Sequence, residues 1–373
     1  MPTAKLESFL AQRHETPFLV VDLDVVADRY WQLADALPAA RIFYAVKANP
    51  APPVLRRLVA LGSAFDVASP AEIDACLEAG AVAADISYGN TLKKARHIAA
   101  AHAVGVSRFT VDSEPELDTV LHPAPGADVC VRLFHDGEQA DWPLSRKFGC
   151  DEGDALAMLV RAARAGHRVG MSFHVGSQQR SPDAWDDALA VVHRIARRAV
   201  ERGVPVAFLN LGGGFPARYL DDIAPMRAYG AGIDAALRRF GAERPELMVE
   251  PGRYMLGDAG VLRTEVVLVS HRSLDERRWV YLDCGRFNGL AETLDEAIRY
   301  RLRTTRDGDV TGPVVLAGPT CDSADILYDK STYQLPLSLR DGDLVDILSA
   351  GAYTTAYAAP GFNGFPAPSE HYI

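Results

Sequence analysis

The sequence predicts an α/β fold in which a (β/α)₈ barrel is followed by a mostly antiparallel β domain. Short apolar runs alternate with amphipathic segments between residues 41 and 253. After about residue 258 the chain becomes rich in β-type runs with few helices between them. Eight strand–helix units in a stretch of this length are typical of a (β/α)₈ barrel. An open doubly wound sheet shows the same alternation and is the alternative.

The predicted barrel strands are short runs of apolar or β-branched residues, each ended by polar or turn residues. In chain order they are RIFYAV (41–46), AFDVAS (64–69), ISYGN (86–90), RFTVDS (108–113), DVCVRLF (128–134), VGMSFHVGS (169–177), VAFLNLGGG (206–214) and LMVEPGR (247–253).

Between these strands, apolar residues recur at i, i+3, i+4 and i+7, which is the pattern of an amphipathic helix. The segments are PPVLRRLVALG, PAEIDACLEAG, TLKKARHIAAAHAVG, SEPELDTVL, DALAMLVRAARAG and AWDDALAVVHRIARRAVERG. Several end on a glycine, which is the usual stop of a helix, namely Gly62, Gly80, Gly105, Gly166 and Gly203.

The runs VLRTEVVLVSHR, RWVYLDCG, GPVVLAG and PLSLRDGDLVDILSAGAY predict the second domain. We therefore place a barrel at residues 24–257 and a β domain at residues 258–373. The N-terminal PFLVVDL (17–23) precedes the first helix of the repeat and could join either domain; we assign residues 1–23 to the β domain.

Composition excludes several classes of function. The 373 residues carry a net charge of -10 and a pI of about 5.5, which disfavours a nucleic-acid partner. Neither a signal peptide nor a membrane-spanning run is predicted. The five cysteines, Cys76, Cys130, Cys150, Cys284 and Cys321, form no CxxC pair, so neither a disulfide framework nor a zinc site is indicated. We expect a cytoplasmic protein with free thiols and no membrane partner.

Lys47 ends the first predicted strand in the stretch FYAVKAN, where an apolar run meets a charged amine. Either this side chain extends into water, as lysines at strand ends often do, or its amine reacts. The carboxyl ends of barrel strands share one face, and polar residues follow most of these strands. They are Lys47, Asp66, Tyr88, Asn90, Arg132, His174, Ser177, Glu250 and Arg253, with Glu72 shortly after the second strand. Such a ring predicts an active site.

Each member of the ring also has a structural interpretation. His174 could be a core histidine, Glu250 could only pair with Arg253, and Glu72 could cap the helix that begins near Pro70. The glycines Gly212, Gly213 and Gly214 follow a strand and either form a nest of N–H groups for a phosphate or make a tight turn. The dinucleotide fingerprint GxGxxG is missing. A reactive lysine, an imidazole, a carboxylate and a phosphate nest together predict pyridoxal 5'-phosphate.

The motifs YAVKAN, FDVAS-PAE, HVGSQ, LGGGFP, EPGRY, GPTCDSAD and GAYTTAYAAPGFNGF resemble the fold-type III pyridoxal-phosphate decarboxylases, in the ornithine/lysine/diaminopimelate decarboxylase family, and the ornithine branch in particular. The resemblance covers nearly the whole chain and implies a TIM barrel of the alanine-racemase-like type. It implies that Lys47 is the Schiff-base lysine, that His174 stacks on the cofactor ring and that Glu250 pairs with the pyridine nitrogen. By the same resemblance, the phosphate is bound by Ser177, Gly212–Gly214, Gly252, Arg253 and Tyr353, and Asp66, Glu72 and Arg132 hold the lysine and cofactor.

The resemblance further implies a homodimer in which Cys321 and Asp322 reach the site of the other subunit. Cys321 would protonate the product carbon, and Asp322 would face the distal ammonium of the substrate, beside Tyr353. Alanine racemase has an arginine in place of Glu250, so the carboxylate favours decarboxylation. Relatives with a second substrate aspartate carry it in the region of GRFNGLAET, where Glu292 and Thr293 stand here. Glu292 either replaces that aspartate or begins a helix over ETLDEAIRYRL.

The predicted reaction is decarboxylation of L-ornithine to putrescine and CO₂, as in polyamine synthesis. Lysine is the second choice, alone or in a bifunctional enzyme, and another ω-amino or guanidino amino acid or diaminopimelate follows. The diaminopimelate branch has CES-type residues where this chain has Cys321 and Asp322. A pseudoenzyme regulator of polyamine synthesis is the non-enzymatic alternative, and we expect such a protein to lack Lys47 or Cys321.

Overall fold

A computed structural model describes residues 2–12, 14–143, 146–241, 244–273 and 275–373. The chain divides into two compact units. The barrel unit comprises Ala27–Pro216 and Ile223–Tyr254, and the sheet unit comprises Met1–Val26, Ala217–Asp222 and Met255–Ile373. Among the described residues, no helix is both long enough and apolar enough to cross a membrane.

In chain order, the strands are β1 (Phe18–Val21), β2 (Ala40–Ala45), β3 (Ala64–Val67), β4 (Ile86–Tyr88), β5 (Arg108–Val111), β6 (Asp128–Arg132), β7 (Ala140–Trp142), β8 (Val169–Ser172), β9 (Ser177–Gln179), β10 (Phe208–Asn210), β11 (Glu246–Val249), β12 (Gly260–Arg272), β13 (Asp275–Leu282), β14 (Leu302–Thr304), β15 (Thr311–Ala317), β16 (Ile326–Pro336), β17 (Leu344–Leu348) and β18 (Ser369–Tyr372). The α-helices are α1 (Ala4–Leu10), α2 (Leu23–Ala36), α3 (Pro52–Ala60), α4 (Pro70–Glu78), α5 (Ala95–Ala103), α6 (Glu114–Leu121), α7 (Glu152–Arg164), α8 (Ala184–Val200), α9 (Met226–Leu237) and α10 (Arg253–Leu256).

The barrel unit is a closed parallel barrel in the order β2-β3-β4-β5-β6-β8-β10-β11. Each predicted barrel run overlaps one of these strands, so the (β/α)₈ prediction is confirmed and the open sheet is wrong. Its interior includes a buried cluster of Phe43, Ala64, Cys130, Phe208 and Met248. A side chain at Gly170 would lie 2.3 Å from the Phe208 ring, so glycine there lets the large ring fill the barrel.

The helices of the barrel unit follow the predicted segments. The five glycines predicted as helix stops all have positive φ, between 76° and 103°. At the start of α7, Asp151 accepts hydrogen bonds from the N–H groups of Gly153 and Asp154, which caps the helix. These local signals fix where each strand ends and therefore which side chains reach the carboxyl face of the barrel.

The sheet unit contains a sheet in the order β14-β17-β12-β13-β15-β16, with β1 paired to both β12 and β18. Its described pairings are antiparallel except β1–β18 and β13–β15, which confirms the mostly antiparallel prediction. The N-terminal run PFLVVDL supplies β1, which lies beside the last strand of the chain.

The predicted helix over ETLDEAIRYRL is wrong. Residues Ala291–Glu296 form a short 3-10 helix with a kink, and β14 follows. Asp295 and Glu296 both have positive φ, which ends helical geometry. The Glu296 carboxylate accepts hydrogen bonds from the backbone N–H groups of Asp329, Lys330 and Ser331, so the chain is tied to β16 at this point.

Candidate active site

Lys47 lies just beyond β2, in a single turn of 3-10 helix over Val46–Ala48, rather than on the strand as predicted. The backbone around it is fixed: the Ala45 N–H donates to the Pro251 carbonyl (3.1 Å), and the Tyr44 hydroxyl donates to the Asn49 carbonyl (3.0 Å). The residues on both sides, Val46 and Ala48, are buried while Lys47 is exposed. The turn therefore presents the amine at the carboxyl face of the barrel on a rigid backbone.

Asp66, at the end of β3, is the most perturbed carboxyl group of this face. Burial, and then the negative charge of Glu250, raises the pKa of Asp66 well above its ordinary value. The positive charges of Lys47 and Arg132 act in the opposite direction, so these four side chains share one electrostatic environment. A side chain at Gly89 would lie 2.1 Å from Asp66 Oδ1, so that glycine makes room for the carboxyl group.

Glu72 has the capping role that the sequence left open. Its carboxylate accepts a hydrogen bond from the Ala68 N–H (2.6 Å), while its own N–H donates to the Ser69 hydroxyl (3.3 Å) at the start of α4. Burial raises the pKa of Glu72, and the Ala68 N–H and the charge of Lys47 lower it. Glu72 thus stabilises the helix and also contributes negative charge near Lys47.

His174 lies in the loop after β8, and its Nδ1 accepts a hydrogen bond from the Gly176 N–H (3.0 Å). Burial, and then the positive charges of Arg132 and Lys47, lowers the pKa of His174 well below its ordinary value. The imidazole is therefore neutral near pH 7, and because Nδ1 is an acceptor its proton is on Nε2. A neutral, flat ring is suited to stacking against an aromatic ligand.

The glycine run after β10 packs backbone against backbone. Gly212 and Gly214 have φ of 67° and 98°, and a side chain at Gly212 would lie 2.2 Å from the Phe173 carbonyl oxygen. A side chain at Gly213 would lie 2.5 Å from the Glu250 carbonyl oxygen. Two of the three glycines thus have the positive φ that the turn interpretation requires, and the run carries no side chains that would obstruct an anion.

Ser177 and Arg253 complete this corner of the barrel unit. The Arg253 guanidinium donates from Nη2 to Ser177 Oγ (3.1 Å), although the two residues are 76 positions apart in the chain. Arg253 follows Gly252 and begins α10, and it is buried. A buried guanidinium beside a serine hydroxyl is suited to binding a phosphate.

Glu250 is held by a residue that the sequence analysis missed. Asn210, at the end of β10, donates from its amide Nδ2 to Glu250 Oε1 and accepts the Gly212 N–H at its Oδ1 (3.0 Å). Asn210 is only 1% exposed. The Asn210 amide therefore orients both the Glu250 carboxylate and the first glycine of the run. Its position as a single polar residue inside an apolar strand is the sequence signal that could have identified Asn210.

The remaining predicted residues belong to the sheet unit. Cys321 is exposed, whereas the other four cysteines are buried. Burial raises the pKa of Cys76, Cys130 and Cys150 to about 12 each, and that of Cys284 well above its ordinary value. Cys321 is thus the accessible thiol of the chain.

The Cys321–Asp322 loop is anchored by Asp325, a second residue that the sequence analysis missed. Its buried carboxylate accepts hydrogen bonds from the Thr320 N–H (3.0 Å), the Thr320 hydroxyl (2.8 Å) and the Arg286 N–H (2.7 Å). Within the loop, Asp322 Oδ1 accepts the Ala324 N–H (2.8 Å). The loop therefore holds a defined conformation within the sheet unit.

Glu292 is 5% exposed and lies in the 3-10 helix over Ala291–Glu296. The Arg286 guanidinium donates to the carbonyl oxygens of Thr293 (3.4 Å) and Ile326 (2.6 Å), which links this helix to the strand after the Cys321 loop. Tyr353 has a φ of 57° in the turn after β17. The structure therefore places Glu292, Cys321, Asp322 and Tyr353 on one unit and the other predicted site residues on the barrel unit.

Residues 23–257 match the model of a protein family described as "Pyridoxal-dependent decarboxylase, pyridoxal binding domain". The chain belongs to this family. It is 39% identical over 363 residues to the lysine/ornithine decarboxylase of Selenomonas ruminantium, and the match covers 95% of this chain and 89% of that protein.

Two solved structures of decarboxylases are similar to the chain along its whole length. The lysine/ornithine decarboxylase of Vibrio vulnificus complexed with cadaverine has a TM-score of 0.88 and 32% identity, and the match covers 100% of both chains. The arginine decarboxylase of Paramecium bursaria Chlorella virus bound to agmatine also has a TM-score of 0.88, with 28% identity over 100% of both chains. The fold-type III prediction is confirmed.

The barrel face fits the pyridoxal phosphate that this family binds. Asp66 Oδ1 is buried without a hydrogen-bond partner among the described residues, as expected of a group that completes its contacts with a bound molecule. An exposed amine at Lys47, a neutral ring at His174 and a carboxylate at Glu250 supply the chemistry that the aldehyde, the ring face and the ring nitrogen of the cofactor require. The Arg253–Ser177 pair is suited to binding its phosphate, and the glycine run leaves that corner without obstructing side chains.

Proposed function

We propose that this pyridoxal-phosphate-dependent decarboxylase acts on a basic L-amino acid, with L-ornithine as the first choice and L-lysine as the second. The proposal rests on one observation: Lys47, His174 and Glu250 lie at one face of the barrel, beside the glycine run. Pyridoxal phosphate, when bound, supplies an electron sink for the pair of electrons left on Cα as CO₂ departs. All other steps depend on residues of this chain.

In this proposal Lys47 would hold the cofactor covalently through its side-chain amine before the substrate binds and again after the product leaves. The cofactor phosphate would be bound by the glycine run Gly212–Gly214, by Gly252, Arg253 and Ser177, and by the hydroxyl of Tyr353. The neutral His174 ring supports one face of the cofactor, and Asp66 and Arg132 fix the charges around the lysine. Glu250, oriented by Asn210, keeps a proton on the ring nitrogen. That proton strengthens the electron sink, which favours loss of CO₂.

Cys321 is proposed to give its thiol proton to the substrate carbon that has lost CO₂. Its accessibility supports this role, because the other four thiols are buried. We further propose a homodimer in which the Cys321–Asp322 loop of one subunit completes the barrel site of the other. The free thiols support a cytoplasmic location.

Mixed dimers test the shared site. Lys47→Ala and Cys321→Ala subunits, each inactive alone, are expected to regain activity when mixed, because one of the two sites in each hybrid dimer receives an intact lysine and an intact cysteine. Random exchange puts half of the dimers in the hybrid form, so about a quarter of the wild-type activity is expected. Native mass spectrometry of tagged subunits verifies the exchange. Complete exchange without any recovery of activity would rule out the shared site.

The distal end of the substrate is proposed to meet Asp322 and Glu292. A carboxylate attracts an ammonium group, and a buried one such as Glu292 does so in an environment that water screens weakly. A substrate with a distal carboxylate would be repelled, which disfavours diaminopimelate. Ornithine would give putrescine, so polyamine synthesis is the proposed pathway.

A panel of four amino acids tests the substrate. CO₂ release from ornithine, lysine, arginine and meso-diaminopimelate is expected to give the highest kcat/KM for ornithine, with lysine next. Because one methylene group is worth about 1–3 kcal/mol in a pocket, ornithine and lysine should differ by no more than about 200-fold. The Glu292→Gln variant, which keeps the size of the side chain and removes its charge, should raise KM for both.

Other results of the panel point elsewhere. A preference for arginine would indicate a guanidino substrate, and a preference for diaminopimelate would contradict the role of Asp322. No CO₂ from any of the four would favour a regulator on the same scaffold. The presence of both Lys47 and Cys321 argues against that regulator.

A further inference from the structure

The segment GAYTTAYAAPGFNGF near the C-terminus contains more than the proposed function uses. Beyond Tyr353, its most specific contact is made by Asn363, whose Oδ1 accepts a hydrogen bond from the backbone N–H of Cys321 at 2.9 Å. The two residues are 42 positions apart in the chain. An amide from a distant turn thus binds the peptide group of the proposed proton donor.

Asn363 is itself placed by a compact turn. The Gly361 N–H donates to the Phe365 carbonyl (2.8 Å), and Asn363 has a left-handed φ of 50°, which asparagine tolerates better than most residues. The Phe362 ring packs on the Phe287 ring with centroids 4.5 Å apart. The turn is therefore fixed against the loop after β13, and the Asn363 amide points in a defined direction.

Two different groups consequently hold adjacent residues of the Cys321 loop. Asp325 binds the loop through Thr320, on the N-terminal side of the cysteine, and Asn363 binds the cysteine itself. We propose that Asn363 is a positioning residue that aims the Cys321 thiol at the substrate carbon. The inference rests on the proposed function, because it requires that Cys321 is the proton donor.

Fixing the Cys321 peptide fixes the direction of its Cα–Cβ bond and limits the positions of Sγ. In the normal reaction the S–H bond breaks, the proton joins the substrate carbon, and the thiolate recovers a proton from water. When the thiol is misplaced, water would supply the proton in its place, without control over which carbon receives it. Protonation at the wrong carbon would give an aldehyde in place of the amine after hydrolysis, with CO₂ lost in both cases.

Two substitutions at position 363 separate positioning from folding. Asn363→Gly removes the acceptor and tolerates the left-handed backbone, whereas Asn363→Asp retains an acceptor oxygen in a similar side chain. Hydrogen exchange of the Cys321 peptide in the cofactor-free protein reports the bond directly. We expect exchange about five- to tenfold faster in Asn363→Gly, the loss of about one hydrogen bond, and close to wild type in Asn363→Asp.

The second measurement is the ratio of aldehyde to amine formed per CO₂ released by the loaded enzyme. We expect this ratio to rise at least about tenfold in Asn363→Gly and to stay near the wild-type value in Asn363→Asp. Partial unfolding lowers the amount of active enzyme without changing the ratio per turnover. An unchanged ratio in Asn363→Gly despite faster exchange would overturn the inference while the proposed function stands. A wild-type protein that releases no CO₂ would refute the proposed function, and the exchange data would still show whether Asn363 holds the cysteine.

Discussion

Replacement of Lys47 by alanine is expected to remove covalently bound cofactor and to lower kcat/KM for decarboxylation at least about a thousandfold. In the proposed function the Lys47 amine is the nucleophile that would hold the cofactor covalently, and alanine offers no substitute. Borohydride reduction of the wild type, followed by peptide mass spectrometry, should place the cofactor on the peptide that contains Lys47. The same treatment of Lys47→Ala should yield no labelled peptide.

Lys93 is the alternative attachment site for the cofactor that this test distinguishes from Lys47. Burial lowers the pKa of Lys93, a property often found in reactive lysines. Its side chain is nevertheless 0% exposed, and Nζ contacts Glu116 (2.7 Å), the Asn90 carbonyl (2.6 Å) and the Thr110 carbonyl (2.7 Å). Exposure therefore selects Lys47, although the perturbed pKa alone would select Lys93.

Lys47→Arg is the matched control, because it keeps the positive charge near Asp66 and His174 but cannot attach the cofactor. If both variants lose activity alike, the amine itself is required. If Lys47→Arg recovers most of the activity, or if the label appears on Lys93, the assignment of Lys47 is contradicted.

The sequence was sufficient for the barrel because its evidence is local and repeated. Hydrophobic periodicity predicted the place of each strand and glycine stops predicted where helices end, and a closed parallel barrel brings the carboxyl ends of its strands to one face. Lys47, His174 and Glu250 could therefore be grouped without knowledge of any distance. The prediction of a helix after Glu292 was wrong for the opposite reason. Glu296 contacts residues of β16 that are distant in the chain, and these contacts outweigh local helix propensity.

The supporting contacts were not predictable to the same degree. Asn210 stands in an apolar strand, and only the folded barrel shows that its amide joins Glu250 to Gly212. Asn363 belongs to the motif GAYTTAYAAPGFNGF and Asp325 to the motif GPTCDSAD, yet a motif does not show which atoms are in contact. Residues that touch a ligand are recognisable by type and position, whereas residues that orient them depend on pairings across tens of positions.

Glu250→Gln is expected to lower kcat for decarboxylation about a hundredfold, because in the proposed function the ring nitrogen would lose the negative charge that stabilises its proton. Glutamine matches the size of glutamate, and its carbonyl oxygen can still accept the Asn210 amide. Cofactor attachment at Lys47 should survive, so the absorbance of bound cofactor should be close to that of the wild type. Activity within about threefold of the wild type would show that the charge of Glu250 is not required.

The same substitution should also change the stability of the cofactor-free protein, and the direction follows from Asp66. Burial and the charge of Glu250 raise the pKa of Asp66, so the native state holds a proton that the unfolded state releases. Stability is then greatest below the unfolded pKa of about 4 and falls as the pH rises toward the higher folded pKa.

Removing the charge of Glu250 lowers the folded pKa of Asp66 and lessens this loss of stability. Urea unfolding of the cofactor-free proteins should therefore show that Glu250→Gln loses less stability than wild type as the pH is raised from about 4. A greater loss in Glu250→Gln would mean that Glu250 stabilises this face of the barrel. The expected smaller loss instead means that the chain maintains a destabilising pair of carboxyl groups at the site where the cofactor binds.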